Sequence, residues 1–227
     1  MNIRFLGHAA FALEHDGKTV LVDPFLTGNP KAAASADDIA ADAIFLTHGH
    51  ADHIGDTVAI AKRTGAPVVA IVELASEIAE ELGGDHDVRD PNIGGTVDLD
   101  WVNVRLTPAW HTSTTPKGTV NTPAGLVIEL GDKRVYHVGD TGLFSDLALA
   151  GKRGRLDAAI VCIGGHYTMD RFDAVEASRL IGADTIIPCH YDTFPPIETD
   201  ANAFKADVEQ GGIAQVAVLA PGEEKAI

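Results

Sequence analysis

The sequence predicts an α/β domain in which two sheets pack together with helices outside them. Three observations carry the prediction. Short apolar, branched runs fall in two clusters, one before Val72 and one after Thr96. Segments with helical spacing occur in both halves, which places helices beside each sheet. Four apolar runs lead into His or Asp, at His48, His111, Asp140 and His190, so four strand ends supply polar groups to the rim of a sheet.

In chain order, Asn2–Leu6 and Ala10–Glu14 read as strands, Asp16-Gly17 as a turn and Thr19–Val22 as the returning strand of an antiparallel opening. Asp23-Pro24 ends it, and Leu26–Ala36 is a loop long enough to border a pocket. Ala43–Leu46 is a buried strand, Ile54–Thr64 a helix closed by Gly65, Val68–Val72 a strand, and Glu73–Leu82 a helix closed by Gly83-Gly84. From Thr96 the chain returns to strands, with Val102–Leu106 alternating before Pro108-Ala109-Trp110-His111. The polar stretch Thr112–Thr122 reads as a flexible connection, and Gly125–Leu130 with Arg134–Val138 as a hairpin ending in Gly139-Asp140. Leu156–Ile163 is a further strand, followed by Gly164-Gly165-His166 and a helix Arg171–Ile181. Thr185–Cys189 leads into His190, and the helix Asn202–Glu209 and strand Gln215–Leu219 complete the pattern.

A single domain over residues 1–227 is expected, because that length suffices to bury one substantial core. The 33 acidic side chains outnumber 17 Lys and Arg, giving a formal charge of -16 that repels polyanions. Nucleic acid and anionic membrane surfaces are therefore excluded as partners, whereas a small molecule, anionic ones included, still reaches a metal centre. No signal-type stretch or apolar span of 18 residues is present, and a cytoplasmic location is expected. Cys162 and Cys189 lie in apolar runs and read as buried free thiols.

The segment Thr47-His48-Gly49-His50-Ala51-Asp52-His53 concentrates three imidazoles and a carboxylate between a strand and a helix. Packing does not explain that density. His48 and His50 in a tight loop converge on one ion, while Asp52 and His53 turn towards a second about 3.5–4 Å away. Imidazole and carboxylate donors suit Zn, Mn or Fe.

Together with His111, Gly139-Asp140-Thr141 and His190, this segment resembles the metallo-β-lactamase superfamily, over nearly the whole chain. Leu6-Gly7-His8, Val22-Asp23-Pro24, Tyr167-Thr168-Met169 and Cys189–Pro195 are similar to the branch of small metal-dependent hydrolases related to ascorbate-6-phosphate lactonase. The resemblance implies an αββα four-layer sandwich of two mixed sheets. It implies two divalent ions, Zn before Mn or Fe, with His48, His50 and His111 on the first, Asp52, His53 and His190 on the second, and Asp140 bridging. Each ion then keeps an open position, as catalysis requires.

The implied activity is hydrolysis of a small ester, lactone or phosphoester. A water shared by the ions, its pKa lowered towards ~7, attacks carbonyl or phosphorus. Asp52 and Asp140 are the catalytic carboxylates, with Asp52 orienting the nucleophile and passing a proton to the leaving group. Asp23 resembles the carboxylate that accepts the outer N–H of a ligand histidine, and it reads equally as a turn residue before Pro24. His8 and His166, both beside glycine at strand ends, are candidates to hold substrate. Trp110, Tyr191 and Phe194 flank ligands and read as pocket wall or plain packing.

Nucleases and di-iron oxidoreductases share the scaffold. The acidic balance argues against the first, and His50, where such oxidoreductases carry a carboxylate, against the second. Homo-oligomer formation is left open.

Overall fold

Two seven-stranded sheets face each other in the computed structural model, which describes residues 1–227. The first contains β1 (Asn2–Gly7), β2 (Ala10–His15), β3 (Lys18–Val22), β4 (Ala43–Phe45), β5 (Val68–Val69) and β6 (Val88–Arg89), and its far edge is closed by β14 (Glu224–Ala226) against β1. The second contains β7 (Thr96–Asp98), β8 (Val102–Pro108), β9 (Ala124–Leu130), β10 (Lys133–His137), β11 (Ala158–Cys162), β12 (Thr185–Cys189) and β13 (Gln215–Val216). Both sheets follow one plan. An antiparallel meander, β1 to β3 or β7 to β10, passes into a parallel run, β3 to β6 or β10 to β13. The architecture is thus mixed sheets with helices, as the sequence predicts.

The helices are α1 (Ala51–Ile54), α2 (Thr57–Thr64), α3 (Val72–Leu82), α4 (Arg171–Ile181) and α5 (Ala201–Gln210). α4 covers one face of the second sheet beside β11, so β11 and β12 are buried at every position and read as unbroken apolar runs. In β8, Val102, Val104 and Leu106 point inward while Asn103 and Arg105 are half-exposed, the alternation of a strand covered on one face. Side chains from both sheets, Phe11 and Phe45 from one and Tyr136 from the other, join one continuous apolar cluster. Each large side chain buried this fully contributes roughly 1.5–3 kcal/mol.

Several boundaries differ from expectation. The helix expected over Ile54–Thr64 is two: a single turn, α1, that carries Asp52 and His53, and α2 beyond it. Gly55 breaks them apart at φ 40°, where a Cβ would lie 2.5 Å from the Pro24 carbonyl oxygen. The strands expected over Val68–Val72 and Gln215–Leu219 shrink to two residues each. The 3₁₀ stretch Ser145–Arg153, which buries Leu147 and Ala150 one turn apart, and the charged edge strand β14 were not expected. No helix is long and apolar enough to cross a membrane.

Strand geometry positions the site. β1, β3, β4, β8, β10 and β12 all run out at one end of the sandwich, into His8, Asp23, His48, His111, Asp140 and His190 respectively. The two sheets are tied there by the His190 N–H, which donates to the His8 carbonyl at 2.7 Å.

Candidate metal centre

The seven residues expected as ligands converge. His48, His50 and His111 offer nitrogens within 4.8 Å of one another, and Asp52, His53 and His190 form a second such group that also includes His8. Between them stands Asp140, whose Oδ2 lies 3.1 Å from His190 Nε2, 3.4 Å from His53 Nε2, 3.6 Å from His111 Nε2 and 4.0 Å from His48 Nε2. One carboxylate oxygen therefore reaches two histidines of each group.

The donor set fits divalent cations by three observations. His53 Nε2, the ring atom turned towards Asp140, is buried without a hydrogen-bond partner, which is costly unless something else occupies it. His48 Nε2 and His50 Nδ1 approach to 3.0 Å, near the roughly 3.4 Å edge of a tetrahedron around an ion with nitrogen ligands at about 2.0–2.1 Å. The donors are also all neutral imidazole or carboxylate oxygen, the set that suits Zn, Mn or Fe.

Asp23 organises both groups. Its Oδ2 accepts His53 Nδ1–H at 2.7 Å, so His53 turns the Nε2 lone pair inward. The same carboxylate accepts the Thr47 N–H at 2.8 Å and the Thr47 hydroxyl at 2.6 Å. With its proton committed to Asp23, Thr47 Oγ1 accepts from His48 Nδ1 at 2.9 Å, and His48 likewise presents Nε2 to the cluster. Thr47 was quoted in the sequence motif without a role; only tertiary contact assigns one.

Protons compete with metal here. Burial disfavours a charged His53, but Asp140 and Asp23 outweigh it and raise the imidazole well above its usual pKa. Burial likewise opposes ionisation of Asp140, and His190 and His53 overcome it, holding that carboxyl well below the usual range. A metal held by His53 would require that ring to give up its proton, so metal binding there would release acid and weaken as pH falls.

His8 and His166 part company. His8 is buried: Nε2 donates to Asp52 Oδ2 at 3.1 Å and Nδ1 accepts from Thr193 Oγ1 at 2.9 Å. The assignment of His8 to substrate accordingly shifts to support of Asp52, because its ring atoms are spent on Asp52 and Thr193. His166 is exposed on the loop after β11, its ring edge-on to Tyr167 at 4.4 Å, with no contact to the cluster. Gly164 beside it is required by packing, since a Cβ there would meet the His190 carbonyl oxygen at 2.2 Å. A cavity of about 540 Å³, bordered by Lys31, Tyr191 and Leu219, shares only His8 with the cluster.

Burial pushes the His8 pKa down to about 4, with His190 and His53 adding to the fall and Asp52 opposing it. A histidine held neutral in the fold contributes stability present above pH 6.5 and lost as pH drops towards 4. Metal-free protein should lose roughly 2–3 kcal/mol between pH 7 and 4.5 that H8Q does not lose, read by denaturant unfolding at both pH values. Equal losses would mean that His8 is not desolvated.

The Thr112–Thr122 stretch is not a free connection. Ser113 Oγ and Asn121 Oδ1 both accept the Gly49 N–H, at 2.9 and 3.2 Å, and Thr115 donates to buried Glu77 at 2.7 Å. Thr114 and Val120 pair as an isolated bridge. This loop therefore clamps the backbone between His48 and His50. A Cβ on Gly49 would lie 2.6 Å from Asn121 Nδ2 and 2.7 Å from Thr115 Cγ2. G49A should cost roughly 1–3 kcal/mol in thermal unfolding and weaken the first ion in a zinc titration; wild-type affinity would show that the clamp yields freely.

The model of a family described as "Beta-lactamase superfamily domain" matches residues 2–190. A "UPF0173 metal-dependent hydrolase" of Pelotomaculum thermopropionicum is 44% identical over 228 residues, covering 98% of each chain. Another of that description, from Methanopyrus kandleri, is 45% identical with the same coverage. Among solved structures, Igni18, a metallo hydrolase from the hyperthermophilic archaeon Ignicoccus hospitalis, superposes with TM-score 0.89 at 37% identity, over 99% of this chain and 97% of that one.

Proposed function

From the premise that the chain belongs to the beta-lactamase superfamily, and is a metal-dependent hydrolase as its relatives are, we propose that it cleaves a small ester, lactone or phosphoester at a two-ion centre. The observation that supports this reading best is the Asp140 Oδ2 placed within 4.0 Å of ligand nitrogens from both groups. His48, His50 and His111 would hold one ion, Asp52, His53 and His190 the other, and Asp140 both. When bound, the ions supply Lewis acidity: a water of lowered pKa and positive charge for the developing oxyanion.

The remaining chemistry belongs to side chains. Burial raises the Asp52 pKa, but the hydrogen bond from His8 and the charge of His53 outweigh it, so Asp52 is ionised at neutral pH. His8 Nε2–H fixes Oδ2, and a third of the Asp52 side chain stays exposed. Asp52 is thereby placed to take a proton from the attacking water and return it to the leaving oxygen. Asp140, almost wholly buried, keeps the two histidine groups at constant separation.

The test is a hydrolysis screen of zinc-, manganese- and iron-loaded protein over lactones, carboxylic esters, phosphodiesters and thioesters, with metal content measured by mass spectrometry. Two ions per chain and turnover of one ester class are expected. A single ion per chain at saturation would remove the two-ion reading, and metal-loaded protein inert to every class would remove the substrate assignment.

A further inference from the structure

Resting on the hydrolytic reading above, we infer that Trp110 and Phe144 form a stacking platform that selects substrates bearing a flat apolar group next to the scissile bond. Trp110 immediately precedes the ligand His111 and is 70% exposed, an unusual placement for the largest apolar side chain in the repertoire. It is nevertheless held firmly. Its N–H donates to Thr141 Oγ1 at 2.9 Å and its carbonyl accepts the Gly142 N–H at 3.0 Å, so its backbone is tied to the turn that carries Asp140. The indole lies nearly parallel to the half-buried Phe144 ring, centroids 5.9 Å apart and planes 18° apart.

Phe144 packs against the core, while the Trp110 ring stacked on it stays exposed, beside one ligand and with its backbone bonded to the turn of another. The loop bearing Tyr167, itself 55% exposed, meets the same turn, because the Met169 N–H donates to the Thr141 carbonyl at 3.0 Å. An aryl or conjugated group stacked on Trp110 would gain binding beside His111 and the turn that carries Asp140.

The chain has two tryptophans, so 5-fluorotryptophan labelling gives two ¹⁹F signals, and W101F identifies the one from Trp110. Zinc-loaded protein is titrated with acetanilide, the amide counterpart of phenyl acetate, and in parallel with acetamide. The Trp110 signal should shift saturably with acetanilide and stay in place with acetamide. No shift with acetanilide would overturn the platform. So would a shift driven by protein concentration alone, which would make Trp110 a contact between copies of the chain.

A kinetic arm compares kcat/KM for phenyl acetate and methyl acetate. W110A should lower that ratio on the order of tenfold, carried by KM, with W110F restoring most of it. An unchanged ratio would count against the platform. If neither ester is turned over, only the carboxylic-ester part of the hydrolytic reading fails, and the ¹⁹F titration still decides whether Trp110 receives an aryl group.

Discussion

D140A should bring hydrolysis to background and reduce the affinity of both ions, not one. Loss of a group that merely supports a ligand typically costs 10–100-fold in metal affinity or activity. Asp140 is not of that kind: its Oδ2 stands 3.1–4.0 Å from four histidine nitrogens, two from each group. The drop in turnover should therefore exceed roughly 10²-fold. In the metal-free protein the same change removes the larger of the two counter-charges, Asp140 and Asp23, that raise the His53 pKa. Stripping one partner from a buried ionic group typically costs about 3–5 kcal/mol, so the metal-free variant should also unfold at lower temperature. D140N, with the same shape and no charge, should repeat the loss of metal with a smaller loss of fold. The checks are metal content after gel filtration, turnover of the best substrate from the screen, and a thermal scan with and without zinc. Retention of one ion at wild-type affinity would assign Asp140 to the other ion alone.

How far the centre was legible follows from the kind of signal each residue leaves. The segment His48 to His53 stands out because four ligating side chains in six positions have no packing explanation. His111, Asp140 and His190 were legible for a different reason: each follows an apolar run, and strand direction carries the ends of β8, β10 and β12 to one rim. The left-handed backbone of His8, Asp23 and His190, with φ of 61°, 46° and 55°, left no trace, since non-glycine residues adopt it only when tertiary contacts impose it. The Thr112–Thr122 loop was misjudged because serine, threonine and asparagine look alike in sequence whether they face water or, like Ser113 and Asn121, hold a buried backbone N–H. Gly55 could have warned that the helix after His53 is broken, and β14 could not have been found, being three residues of mainly exposed, charged edge.

The Asp23–Thr47 pair allows the two metal positions to be weakened separately. D23N removes the charge and the Oδ2 acceptor shared by the Thr47 hydroxyl and His53 Nδ1–H, while the amide oxygen still takes the Thr47 N–H. His53 then loses the partner that directs Nε2 inward, and Thr47 loses the partner that directs its lone pair towards His48, so both ions should bind roughly 10–100-fold more weakly. With Asp23 wholly buried, the variant should also lose on the order of 3 kcal/mol, comparable to breaking a buried ion pair. T47V removes the hydroxyl's bonds to His48 Nδ1 and to Asp23 Oδ2 and leaves the bond between Asp23 and His53 in place. It should weaken the first position alone, while the second keeps its affinity. Competitive zinc titrations that resolve two binding steps would distinguish the variants, and turnover should fall in both because the proposed hydrolysis uses both histidine groups. Should T47V weaken both steps equally, the hydroxyl would be acting through Asp23 instead of through His48, and the branching assigned to this carboxylate would be wrong.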